Sequence, residues 1–195
     1  MSKLYFRYWA MNSGKTTAII QVAHNYEERG MHVVLIKPQL DTKWSDKIVS
    51  RLGVERTVDI LLERKDNVNE AITHFIQVQW SVDCILVDEV QFLMPWQIDE
   101  LYRLAVQQNI PVICYWLRTD FLLQSFPASE RLLALSHTLE ELKTICRCNK
   151  KAVCNMRLVN GKPVFTGEQI AIDGDNVTYE SVCAWCYAKH KGESK

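Results

Sequence analysis

The chain of 195 residues carries 23 lysines plus arginines against 23 aspartates plus glutamates, a formal net charge of zero. That balance argues against a protein that coats nucleic acid, and no apolar run reaches membrane-spanning length or resembles a leader's hydrophobic core. The length suits one ordinary domain with a small appendage, large enough to fold without cross-links, and a cytosolic setting is expected.

Leu4-Tyr5-Phe6-Arg7-Tyr8 reads as a first strand, and a helical pattern begins near Gly14. Between them runs Trp9-Ala10-Met11-Asn12-Ser13-Gly14-Lys15-Thr16, so that strand, loop and helix meet at Gly-Lys-Thr in the context of a P-loop. In such a loop the backbone N–H groups and the helix N-terminus face phosphate oxygens. Lys15 would reach the β- and γ-phosphates and the Thr16 hydroxyl would hold Mg²⁺. The pattern asks for glycine where this chain has Trp9.

Val33-Val34-Leu35-Ile36 reads as a buried strand, residues 40–56 as polar loop, and residues 63–79 as a helix with Val68, Ala71, Ile72, Phe75 and Ile76 on one face. Cys84-Ile85-Leu86-Val87 is a further strand, followed by a helix-like stretch from Trp96 to Gln107 and a strand over Ile110–Tyr115. Short apolar strands alternating with amphipathic helices predict an α/β fold with a mainly parallel sheet covered on both faces. After about residue 143 the chain turns rich in Cys, Gly, Asn and Asp, with short β-like pieces at Met156–Val159 and Pro163–Phe165. This tail reads as a small β-rich domain with little apolar core.

The strand Cys84–Val87 ends in Asp88-Glu89. An acid at that strand end binds Mg²⁺ in P-loop proteins, and a second acid beside it can serve as general base. Of seven cysteines, Cys84 and Cys114 lie in apolar runs and read as core. Cys146-x-Cys148 and Cys183-x-x-Cys186 form two close pairs, the pattern of a closed structural Zn²⁺ site. Cys154 and His190 are alternative ligands, because the first pair is one residue tighter than usual zinc spacing.

Over almost its whole length the chain resembles the type II thymidine kinases. The resemblance rests on Lys3–Phe6, the Ala10–Thr17 loop, Asn25–Gly30, Val87–Leu93, Leu117-Arg118-Thr119-Asp120-Phe121, Leu142–Cys146 and Tyr179–Cys183. It implies a RecA-like P-loop domain over residues 1–143 and a zinc-binding domain with a substrate-covering lasso over residues 144–195. The implied partners are ATP, thymidine and further copies of the chain in a homotetramer. ATP would lie along Trp9–Thr16 with Asp88, Glu89, Val90 and Gln91; Thr16 and Asp88 would hold Mg²⁺, and Glu89 would be the catalytic base. Asp41 and Lys43 match a phosphate-side element, with Lys in place of the commoner Arg. Phe121 and Tyr179 match nucleoside-binding residues, and Ala171, Ile172, Asp173 and Gly174 match the lasso, with a register open by one residue. Two other readings stay open: a P-loop ATPase or regulator in which Glu89 activates water, and an inert binding module built on the cysteine cluster.

Three tryptophans depart from the family pattern. Trp9 and Trp116 occupy positions where similar sequences carry small residues, and Trp44 follows Lys43 at a variable position. The expectation is a retained fold with nucleotide or thymidine binding weakened by the two indoles at Trp9 and Trp116, unless the Trp9 ring packs away from the nucleotide.

Overall fold

A computed structural model describes residues 1–11, 14–39, 46–50, 53–79, 81–169 and 176–192. In chain order the first half forms β1 (Leu4–Trp9), α1 (Lys15–Glu27), β2 (Val33–Pro38), β3 (Lys47–Val49), β4 (Glu55–Thr57), β5 (Ile60–Leu62), α2 (Val68–Gln79) and β6 (Cys84–Val87). A single 3-10 turn at Val90–Phe92 leads to α3 (Pro95–Gln107), β7 (Val112–Leu117), α4 (Pro127–Leu135) and β8 (Thr138–Glu141). The tail holds β9 (Thr144–Ile145), β10 (Lys151–Ala152), β11 (Cys154–Val159), β12 (Lys162–Val164), β13 (Val177–Val182) and α5 (Ala184–Lys191).

The central sheet has six strands in the order β5-β2-β6-β7-β1-β8. β2 pairs in parallel with β5 and β6, and β6 in parallel with β7. The residues from Val33 to Ile36 and from Cys84 to Val87 are all buried, as expected of strands covered on both faces. β7 is buried except at Trp116, the one half-exposed position along its length.

The chain divides into two compact units. The first comprises Met1–Arg7, Gly14–Trp116 and Pro127–Glu140 and holds most of the sheet and its helices. Here Gln97 is fully buried yet satisfied: its side chain accepts from the Met94 N–H at 2.9 Å and donates to the carbonyls of Glu63 and Asp66 at 3.0 and 2.9 Å. Pro95 opens α3 at its first position, where a missing N–H costs nothing. The buried Glu100 carboxylate accepts from the Val68 N–H and the Asn67 side chain, both at 2.7 Å, and so caps the start of α2.

The second unit comprises Tyr8–Ser13, Leu117–Phe126 and Glu141–Lys195. It is built on an antiparallel sheet in the order β12-β11-β13, with β9 and β10 forming a separate ribbon. Its small core gathers Cys146, Ala152, Cys154, Met156, Val182, Cys183 and Tyr187.

Two sequence readings change. The polar stretch 40–56 does not remain loop, because Lys47–Val49 pairs with Glu55–Thr57 in a hairpin. The second helix starts at Val68, since Glu63–Asn67 is spent on a turn in which the Asp66 carboxylate accepts from the Glu63 N–H at 2.8 Å. Among the described residues no helix is long and apolar enough to cross a membrane.

Candidate active site

In the first unit, α1 begins at Lys15, and Gly14 stands before it with φ +80°. That left-handed conformation is cheap only for glycine. Among the described residues no side chain caps this helix start, which leaves first-turn N–H groups for an anion. Lys15 is nearly buried, with its Nζ 3.0 Å from Asp88 Oδ1 and 3.9 Å from Glu89 Oε1. Burial pulls its pKa below the ordinary lysine value, against the opposing pull of the two carboxylates. The Lys15 ammonium also lies over the Trp116 ring, 2.9 Å from the centroid.

Asp88 follows β6 and is 2% exposed. Its Oδ1 accepts the Glu89 N–H at 2.8 Å, and its own N–H donates to Ile36 at 2.9 Å. Glu89 has φ +53°, an uncommon conformation for a side-chain-bearing residue and one that recurs at functional sites. Its two carboxylate oxygens lie between Lys15 and Lys37, the latter at 4.0 Å. Lys37 was not among the sequence-derived site residues; a cation at the end of an otherwise apolar strand was its only signal. Val90 and Gln91 follow in the 3-10 turn, both buried. Among the described residues neither amide atom of Gln91 has a hydrogen-bond partner. An orphaned buried amide in the turn after Glu89 fits a ligand with polar atoms. The near-buried Asp88 carboxylate suits a divalent cation.

The second unit holds Trp9, Ala10 and Met11. Trp9 and Ala10 are each 5% exposed, so the Trp9 indole is packed in protein. The Met11 N–H donates to Asn155 Oδ1 at 2.7 Å, its carbonyl accepts from the Ser181 hydroxyl, and Asn155 Nδ2 reaches the Thr119 carbonyl at 3.1 Å. Phe121 is buried, and its carbonyl accepts the Tyr187 hydroxyl at 2.7 Å. The Arg157 guanidinium stacks 3.5 Å over the Phe121 ring, while Nε donates to the Tyr179 hydroxyl at 3.0 Å and Nη2 to the Gln169 carbonyl at 3.3 Å. Phe121 and Tyr179 thus meet through Arg157, which sequence reasoning missed. Alternation along β11 sets it beside inward-facing residues, but only the fold reveals its partners.

Sulfur atoms of Cys146, Cys148, Cys183 and Cys186 all lie within 4.8 Å of one another. The Cys148 and Cys183 sulfurs are 3.5 Å apart, close to the roughly 3.8 Å edge of a tetrahedron with Zn–S bonds of about 2.3 Å. Cys183 caps α5, where the Cys186 N–H donates to its sulfur at 3.4 Å and pulls its pKa below the ordinary thiol value. Cys154 stands outside the cluster, its thiol pushed up by burial, and His190 is not part of it. Four thiolates fit a closed structural zinc. Asn12, Ser13, Asp41, Lys43, Trp44, Ala171, Ile172, Asp173 and Gly174 lie outside the described residues.

A mainly parallel sheet, a helix opening on Gly-Lys-Thr and an acidic pair at the end of β6 define a protein of the P-loop class. The family model described as thymidine kinase matches residues 2–187, and the chain belongs to that family. A thymidine kinase of Idiomarina loihiensis is 45% identical over 185 residues, covering 94% of both chains. One from Francisella tularensis subsp. holarctica is 41% identical over 189 residues, 94% of this chain and 95% of the relative. One from Legionella pneumophila subsp. pneumophila is 42% identical over 195 residues, 99% of this chain and 92% of the relative.

Proposed function

We propose that this protein is a thymidine kinase, which transfers the γ-phosphoryl group of ATP to the 5′-hydroxyl of thymidine in nucleotide salvage. The observation that carries the reading is the Lys15–Asp88–Glu89 cluster at the open start of α1, in a chain of this family.

As the new 5′-O–P bond forms and the bond to the β-phosphate oxygen breaks, Glu89 takes the hydroxyl proton. Lys15 and the first-turn N–H groups of α1 hold the charge that gathers on the phosphates. Lys37, 4.0 Å from the other carboxylate oxygen of Glu89, helps hold that side chain in place. When bound through Thr16 and Asp88, Mg²⁺ supplies further neutralisation of phosphate charge. Phe121 and Tyr179 bind the nucleoside, supported by the Arg157 contacts, and Ala171–Gly174 cover it as the lasso. Trp9–Ser13, Val90 and Gln91 bind ATP, and Asp41 and Lys43 assist on the phosphate side. The zinc is structural. In this reading residues 1–143 form the kinase domain, residues 144–195 the zinc and lasso domain, and the protein is a cytoplasmic homotetramer.

The test is ADP release with and without thymidine, with dTMP followed chromatographically. Release that depends on thymidine and matches dTMP formed supports the proposal. Thymidine-independent hydrolysis favours the ATPase reading instead.

A further inference from the structure

We propose that Trp116 is a positioning residue for Lys15, holding its ammonium in the nucleotide-free protein and competing with nucleotide phosphate for it. This rests on the reading of Lys15 as the phosphate-binding lysine. The parallel register sets Val87, the last residue of β6, beside Cys114, so that position 116, two residues on, lies past the end of β6 at the C-terminal end of the sheet. Ligands of open α/β sheets bind at that end. Trp116 is the only residue of β7 left half-exposed there. Its ring centroid is 2.9 Å from Lys15 Nζ.

An ammonium has three N–H donors. One serves Asp88 at 3.0 Å and the ring face takes another direction, so water is displaced from much of the cation. Indole is the strongest aromatic partner for a cation, and desolvation strengthens the pair. The sign of the effect on nucleotide binding follows from the ring's charge distribution. The same negative face that attracts the ammonium repels phosphate oxygens approaching it. A nucleotide therefore has to draw Lys15 off the indole, and Trp116 lowers nucleotide affinity while keeping the lysine ordered beside Asp88.

The experiment is calorimetric titration of the full chain with ADP, comparing wild type with Trp116→Leu and Trp116→Phe. Removing the π face should tighten ADP binding roughly tenfold, equivalent to ~1.4 kcal/mol, with Trp116→Phe in between. Indole emission should change when ADP binds to wild type, and that change should be clearly smaller in Trp116→Phe. Lys15→Met should shift the emission of nucleotide-free protein by itself, a readout that does not require Trp116→Leu to fold. Equal or weaker ADP binding in a folded Trp116→Leu, or unchanged emission in Lys15→Met, overturns the role. Tighter ADP binding in Trp116→Leu together with ADP release by wild type that does not depend on thymidine would overturn the kinase reading alone. Unchanged ADP affinity with turnover intact would overturn only the role of Trp116.

Discussion

Gln91 offers a prediction in which stability and binding move in opposite directions. Its side chain is 3% exposed, in the 3-10 turn after Glu89, and among the described residues both its amide atoms lack a partner. A buried polar group left unsatisfied costs about 1–3 kcal/mol, and leucine has a similar volume without polar atoms. Gln91→Leu should therefore stabilise the ligand-free protein by roughly 1–3 kcal/mol. For a chain of this size each kcal/mol moves the Tm by about 2–4 °C, which gives a rise of about 2–12 °C. With ADP the advantage of the variant should shrink. A ligand at one hundred times its Kd adds about 2.7 kcal/mol, and a tenfold loss of affinity in Gln91→Leu would remove about 1.4 kcal/mol of that. Thermal melts of both proteins, with and without saturating ADP, measure each term. A ligand-free Gln91→Leu that melts below wild type would mean that the amide is already satisfied. An equal ADP-induced shift in both proteins would mean that the ligand does not use it.

Glu89→Gln should lower kcat by about 10²–10⁴-fold, the usual worth of a general base, with ADP affinity within a few-fold of wild type. Steady-state kinetics and titration separate the two effects, and an unchanged kcat would remove Glu89 from the proton path. Purified protein should hold close to one zinc per chain, and chelation should abolish the cooperative melting of the Cys146–Cys186 region. Elemental analysis that finds no zinc would refute the four-thiolate site. Burial pushes Tyr115 up to about 12, so its contribution is complete below pH 10, its unfolded value, and is lost as pH rises toward 12. Tyr115→Phe should flatten that alkaline decline in stability, followed by denaturant melts from pH 9 to 12.

Legibility in the sequence tracked how local the cause was. Val33–Ile36 and Cys84–Val87 were readable because a strand buried on both faces needs an unbroken apolar run. Gly-Lys-Thr was readable because a left-handed glycine and a helix start sit side by side in the chain. The Lys47–Thr57 hairpin was not. Of its six strand residues only Ile48 is buried, so it has no period, and it is pinned by the Lys47–Glu55 pair at 2.7 Å and by a left-handed Gly53. The partners of Lys37, Trp116 and Arg157 were hidden for a different reason. Those partners are 52, 101 and 36 positions away in the chain, and only the fold brings them near.

The positive φ of Glu89 connects these observations to the chemistry. A strand that simply continued past Val87 would send side chains 88 and 89 to opposite faces. The left-handed turn at Glu89 instead lets Asp88 and Glu89 both approach the Lys15 ammonium. Asp88 holds the 3.0 Å contact and is itself engaged by the Glu89 N–H. Glu89 keeps longer contacts of 3.9 and 4.0 Å with two lysines. Neither contact is a short hydrogen bond that would have to break before the carboxylate could accept a proton. Backbone strain of about 1–3 kcal/mol is the typical cost of such a conformation, and the division of roles between two adjacent carboxylates is what it achieves. One is committed to the cation beside the phosphate loop, and the other is left available for the acceptor.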